Sequence, residues 1–166
     1  MLDHIIPKPF VIEAYAGHRI VAELCSGYHY QFVDMGDYFV VRTDKEITAT
    51  GRVIKLPAND EIIAFSLRTS VASRHKNQNI YPATGDWRVR RAWLEKQGEK
   101  FGFLVQAVHV TSRHLKIKDK DSRTFAIDCT DFTGVLKVTN ATLIETAITN
   151  GIGRVGKAFG MGMLVI

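Results

Sequence analysis

The chain has 166 residues, with 22 Lys and Arg against 17 Asp and Glu for a formal charge of +5; 46% of its residues are apolar and 23% charged. That length suits one domain or two small ones, and the composition excludes a disordered, collagenous or low-complexity chain. No apolar run is long enough to span a membrane, and the N-terminus lacks a basic stretch followed by an apolar one, so the sequence predicts no membrane partner and a cytoplasmic location.

In chain order, Val11, Tyr15, His18 and Ala22 follow the spacing of one helix stripe. They predict a helix over residues 10–25, entered after Pro9 and stopped at Ser26-Gly27. Residues 28–34 and 38–42 are aromatic and β-branched around Met35-Gly36-Asp37 and predict a β-hairpin; residues 51–56 predict another strand. Pro57-Ala58-Asn59-Asp60 breaks the pattern and is the candidate domain boundary. Beyond it come a strand over Glu61–Ser70, a loop over 71–85, and a helix over Trp87–Gln97 capped by Asp86 and closed by Gly98. A strand over Phe101–Val110 follows, then a hairpin with its tip at residues 119–122 and a strand over Phe132–Val138. A helix over Ala141–Thr149, capped by Thr139 or Asn140, and a strand over Met161–Ile166 close the chain.

The second half therefore reads β-α-β-β-α-β, the ferredoxin-like pattern. The first half is an abbreviated copy, because only Lys45–Thr50 is left for its second helix. The expected fold is α+β, with tandem ferredoxin-like (RRM-like) units at residues 1–57 and 58–166. That fold hosts many unrelated functions, RNA binding among them, so particular residues must carry the functional argument.

Residues Gly151–Gly162 hold five glycines, Arg154 and Lys157. The run contains Gly-x-Gly-x-x-Gly but follows a helix and enters a strand, which is the wrong order for a dinucleotide site. Two readings stay open: a loop that approaches a phosphate backbone through its amides, with Arg154 and Lys157 adding charge, or a close backbone crossing that needs glycine for packing. Lys116, Lys118 and Lys120 alternate, so a strand that continues through them puts them on one face, near Arg123. They suit either a hairpin tracking RNA phosphates or a solvated sheet edge. Arg88, Arg90 and Arg91 at a helix start oppose its dipole, which fits either an acidic partner or ordinary tolerance of the cations. Tyr15 and His18 share one helix face, and histidine suits proton transfer near neutral pH, although such pairs also serve as core packing. Tyr28, His29 and Tyr30 alternate across a strand and form no single site, and His109 is expected to be half-buried. Cys25 and Cys129 are far apart, and neither Cys-x-x-Cys nor His-x-x-x-His occurs, so two reduced buried thiols, no metal and no cofactor are expected.

Gly151-Ile-Gly-Arg-Val-Gly-Lys-Ala-Phe-Gly160-Met-Gly-Met-Leu resembles the glycine-rich loop of CasE-type CRISPR repeat-RNA endoribonucleases, with Gly156 as one extra residue before Lys157. Gly134-Val-Leu-Lys-Val, Phe65-Ser-Leu-Arg-Thr, the loop with Lys76 and the Trp93-Leu-Glu-Lys helix resemble the same family. Tyr15-x-x-His18 falls where the family carries a tyrosine and a catalytic histidine on its first helix. The resemblance implies a metal-independent cut on the 3′ side of a CRISPR repeat stem-loop. The 2′-hydroxyl would be the nucleophile and a 2′,3′-cyclic phosphate the product. His18 would be general acid or base and Tyr15 an orienting group. Lys116, Lys118, Lys120, Arg123, Gly151, Gly153, Arg154, Gly156 and Lys157 would hold the RNA. It also implies retention of the guide RNA and partner subunits in an RNA-guided complex. The alternative is a non-catalytic RNA-binding subunit of such a complex.

Overall fold

In the computed structural model the described residues are 1–8, 12–48, 51–118 and 123–166. β1 (Leu2–Pro7), α1 (Ala14–Leu24), β2 (Tyr30–Asp34), β3 (Tyr38–Thr43) and β4 (Arg52–Val53) build the first layer. Its strands lie in the order β2-β3-β1-β4, all antiparallel. β5 (Ile62–Thr69), α2 (Trp87–Phe101), β8 (Phe103–Lys118), β9 (Thr124–Val138), α3 (Ala141–Asn150) and β10 (Leu164–Val165) build the second, in the order β10-β5-β9-β8. Between β5 and α2 lies a small hairpin of β6 (Ser73–His75) and β7 (Gln78–Ile80). Counted within each four-stranded sheet, both run second-third-first-fourth strand. This is the ferredoxin-like arrangement, and the fold is a tandem of it. In the first half, residues 44–48 form bends rather than a second helix.

Each layer closes over its own apolar cluster. Val21, Cys25, Phe32, Phe39 and Val41 pack under α1, while Leu67, Leu94, Phe103, Leu136, Ile144 and Ile148 fill the second. Burial of each such large side chain contributes about 1.5–3 kcal/mol.

Several elements differ from the sequence reading. α1 begins at Ala14, after the non-helical residues 12 and 13, and its buried stripe is Gly17, Val21 and Cys25, not Tyr15, His18 and Ala22; Pro9, residue 10 and Val11 lie outside the described residues. Gly17 fits there because a β-carbon would stand 3.0 Å from the Phe39 ring; Tyr15 and His18 are thereby turned to the flanks of the helix. Gly98 lies inside α2, which runs on to a left-handed Gly102 cap. It is glycine because the Phe103 carbonyl occupies the space a β-carbon would need. The loop over 71–85 contains the β6–β7 hairpin, whose turn residues Lys76 and Asn77 both have positive φ. β4 and β10 are two residues each, shorter than read. His109 is exposed rather than half-buried.

Arg90 is fully buried, paired with Asp128 at 2.8 Å and bonded to the Pro82 and Ala83 carbonyls. That partnership supplies what its position at the α2 start demands. Arg91 pairs with Glu95 one turn on, and Arg88 lies over the Trp87 ring.

The two layers are joined by polar contacts at the end of α3. Gln31 Nε2 donates to the Ile148 and Thr149 carbonyls at 3.0 and 2.6 Å. Arg42, buried and paired with both oxygens of Asp3, donates to the carbonyls of Ile148 and Leu164. A cation and an amide thus meet the carbonyl end of a helix, where the dipole favours them.

Candidate functional site

That clamp sets the position of the glycine-rich loop, which leaves α3 and runs against α1 and β2. Gly151 has φ 75° and lies where a β-carbon would stand 2.7 Å from Gln31 Oε1 and from the Gly162 carbonyl. The Ile152 amide donates to that same carbonyl at 2.7 Å. Gly153 has φ 92°, and a β-carbon would stand 2.6 Å from Thr69 Oγ1. A β-carbon on Gly156 would run into the Met161 side chain. The glycines of the loop are therefore engaged in a close backbone crossing, which answers the packing reading of the run. The cations Arg154 and Lys157 are exposed beside it.

Lys157 opens a short 3-10 turn, Lys157–Phe159, begun at Gly156. Its ammonium donates to the Asn150 carbonyl at 2.7 Å. The turn packs on α1 and brings Lys157 to a cleft of about 210 Å³ lined by His18, His29, Tyr30, Gln31, Asn150 and Ala158. His18 stacks on Phe32 with ring centroids 6.5 Å apart, and its Nδ1 is enclosed without a hydrogen-bond partner among the described residues. A proton-transfer group and a cation thus meet at the junction of the two layers.

Tyr15 opens elsewhere. It lines a neighbouring cleft of about 380 Å³ with Lys116, Lys118, Arg68 and Arg113. Lys116 and Lys118 are exposed on the same face of β8, on either side of buried Ile117. They lie on the part of the β8–β9 pair that extends beyond β5, whose pairing with β9 stops at Thr130. Ile117, Ile127 and Cys129 of this arm pack with Met161, and Phe159 and Ala14 close over them. The arm is consequently docked on the glycine-rich loop and α1, with its lysines outward. At the cleft's other wall, Asp131 binds Arg68 at 2.6 Å and Arg113 at 2.7 Å. Burial opposes the Arg113 charge, yet the Asp131 hydrogen bond leaves its pKa above the ordinary arginine value. Arg123 is exposed just before β9, and Lys120 lies outside the described residues.

Among the sequence-derived site residues, His18 and Lys157 share one cleft, and Tyr15, Lys116 and Lys118 share the next. Arg154 belongs to a third groove. The sequence reading did not place His29 and Tyr30 at a site; β2 begins only at Tyr30, so His29 precedes the strand alternation, and both residues line the His18 cleft. Cys25 and Cys129 are buried free thiols whose pKa values burial pushes up. Among the described residues no group of three or more His, Cys, Asp or Glu could hold a metal ion, and no helix is long and apolar enough to cross a membrane.

The sequence model of the family described as CRISPR associated protein matches residues 38–166. The chain belongs to the CRISPR associated protein family. Solved structures agree with this family in fold. CRISPR endoribonuclease Cse3 bound to a 19-nucleotide RNA superposes with a TM-score of 0.79 at 18% identity, over 99% of this chain and 97% of that one. Cse3 of Thermus thermophilus, bound to an RNA representing a pre-cleavage complex, gives 0.77 at 18% identity over 99% and 97%. Cas6e of Escherichia coli K-12 gives 0.75 at 17% identity over 99% and 98%. At these identities the likeness is one of fold. No match is found among curated proteins.

Proposed function

We propose that this CRISPR-associated protein binds and cleaves CRISPR precursor RNA on the 3′ side of a repeat stem-loop, without a metal, and retains the guide RNA. The observation that carries the reading is the meeting of His18 and Lys157 in one cleft, beside an arm that presents Lys116 and Lys118. Family membership and the RNA-bound endoribonucleases of the same fold support it.

In this reading residues 1–57 supply the helix with the reacting histidine, and residues 58–166 supply the arm and loop that hold RNA. The 2′-hydroxyl beside the scissile phosphate loses its proton, its oxygen bonds to phosphorus, and the bond to the 5′-oxygen breaks as that oxygen gains a proton. A 2′,3′-cyclic phosphate and a 5′-hydroxyl result. Because Nδ1 is enclosed, Nε2 is the His18 nitrogen that serves this transfer, as base to the 2′-hydroxyl or acid to the leaving oxygen. Lys157 keeps donors beyond its bond to Asn150, and these stabilise charge developing on the phosphoryl oxygens. Tyr15, placed among Lys116 and Lys118, orients the phosphate backbone on the stem side. Lys120, Arg123 and Arg154 add charge along the RNA path, while Gly151, Gly153 and Gly156 allow the close backbone crossing that holds the loop and its cations beside it. Partner subunits of an RNA-guided complex would take up the processed guide.

The test is incubation of the purified protein with an end-labelled stem-loop repeat RNA in EDTA. A single cut at the 3′ base of the stem, ending in a cyclic phosphate, is expected. Tight binding with no cut at any protein concentration would contradict cleavage and leave an RNA-binding subunit.

A further inference from the structure

A third groove, of about 860 Å³, lies between the β6–β7 hairpin, α2 and the glycine-rich loop. It is several times the size of the His18 cleft. Its cations are Arg74, Lys100, Arg154 and Lys157, and no acidic side chain lines it. Among the described residues none of these four is held in an ion pair: Arg74 bonds only the Asn77 amide oxygen, Lys100 lies over the Phe101 ring, and Lys157 bonds the Asn150 carbonyl. Four unneutralised cations around one concavity mark an anionic ligand.

A second, independent observation points into the same groove. Ser70 is buried, with 2% of its surface exposed, and its Oγ has no hydrogen-bond partner among the described residues. A buried hydroxyl without a partner costs free energy, which a small shift of the wall toward a bound acceptor would recover. Ser70 lines this groove.

Asn150 and Lys157 line both this groove and the His18 cleft. The groove therefore meets the cleft at these two residues. The basic groove shares no lining residue with the arm's cleft, so the His18 cleft is the one it meets. We propose that the basic groove binds the single-stranded segment that runs 3′ from the cut; this rests on the function proposed above. With the stem on the arm and the scissile phosphate at His18, the strand leaving that phosphate enters the groove past Lys157. Arg74, Lys100 and Arg154 meet its phosphates. The exposed amides of Asn77 and Asn79 on the small hairpin offer both donors and acceptors, which suit the Watson–Crick edges of unpaired bases, edges that pairing occupies in a duplex.

The experiment measures the affinities of three RNAs made uncleavable by a 2′-deoxy sugar before the scissile phosphate. One is the stem-loop ending just after that phosphate, one carries a 3′ extension, and one a 5′ extension. Each is titrated with the unaltered protein and with the exposed double variant Arg74→Glu/Lys100→Glu. The 3′ extension is expected to tighten binding by about tenfold in the unaltered protein, the order of one or two charge-assisted contacts. The double variant should lose that gain and bind the short stem-loop as before. A 3′ extension that adds nothing, a gain that survives in the double variant, or a gain confined to the 5′ extension would each overturn the proposal. Failure of the unaltered protein to bind the short stem-loop would instead overturn the function on which it rests.

Discussion

Gln31 Nε2 donates to the Thr149 carbonyl at 2.6 Å, tying β2 of the first layer to the last turn of α3 in the second. The glycine-rich loop leaves α3 two residues later, so this bond and those of Arg42 fix where Lys157 stands relative to His18.

Arg42 carries most of that clamp, and its loss should be costly. Arg42→Ala strands the Asp3 carboxylate and removes the donor to Ile148 and Leu164. Breaking a pair of this kind by removing one partner costs about 3–5 kcal/mol. Gln31→Ala, which removes two bonds to carbonyls, should cost about 1–3 kcal/mol. Denaturant titration of both variants checks this; equal and negligible shifts of the midpoint would mean the layers are held by their apolar contacts alone.

The glycine-rich loop and the arm should respond differently to mutation. Gly153→Val places side-chain atoms against Thr69 in a backbone conformation that suits glycine, so it should lower stability by at least about 1–3 kcal/mol. Its residual RNA binding should keep the salt dependence of the unaltered protein, because no charge is lost. Lys116→Ala and Lys118→Ala should leave the midpoint nearly unchanged, and these and Arg123→Ala should each flatten the log–log salt slope by roughly one unit or slightly less. Salt titrations of repeat-RNA affinity decide it, and unchanged slopes in all three would make the arm a solvated edge.

The thiols give a prediction that does not involve RNA. Cys25 and Cys129 are 1% and 0% exposed, and burial raises both pKa values. The folded state thus holds these protons more tightly than the unfolded one. Their contribution to stability is present below the ordinary thiol pKa and is lost as pH rises through the folded values. An alkylating reagent near neutral pH should label neither cysteine until denaturant is added. Rapid labelling of the native protein would show that the cores open readily.

Much of the fold is legible in the sequence because its signals are local. Asp86 and Asn140 cap α2 and α3 by accepting from Val89 and Leu143, as their residue types predict. The β-α-β-β-α-β order follows from patterns a few residues long. The ends of elements are less legible: Gly98 resembles a helix stop, yet it is required by Phe103 across a packed contact. The site is legible in its reactive residues and not in its assembly. His18 and Lys157 each stand in a recognisable local setting. Gln31, whose partner is 117 positions away, and Asn150, which lines two clefts, leave no local pattern. Tyr15 and His18 look paired by their spacing, but they flank the buried Gly17–Val21 stripe and line separate clefts.

The chemistry predicts how substrate and metal should matter. Cleavage should proceed at full rate after chelation, since a 2′-hydroxyl attacks without a metal-generated hydroxide. An RNA with a 2′-deoxy sugar immediately before the scissile phosphate should bind as tightly and stay whole. Product analysis in EDTA tests both; cutting of the deoxy RNA would point to water as the nucleophile.

The most direct measurement is the single-turnover cleavage rate of a stem-loop repeat RNA by His18→Ala beside the unaltered protein, with affinity measured on the same preparations. The rate should fall about 10²–10⁴-fold, the usual contribution of a positioned acid or base, while affinity stays nearly intact and Tyr15→Phe loses less. Cleavage by His18→Ala at the unaltered rate would contradict the account and move the proton-transfer role to His29 in the same cleft.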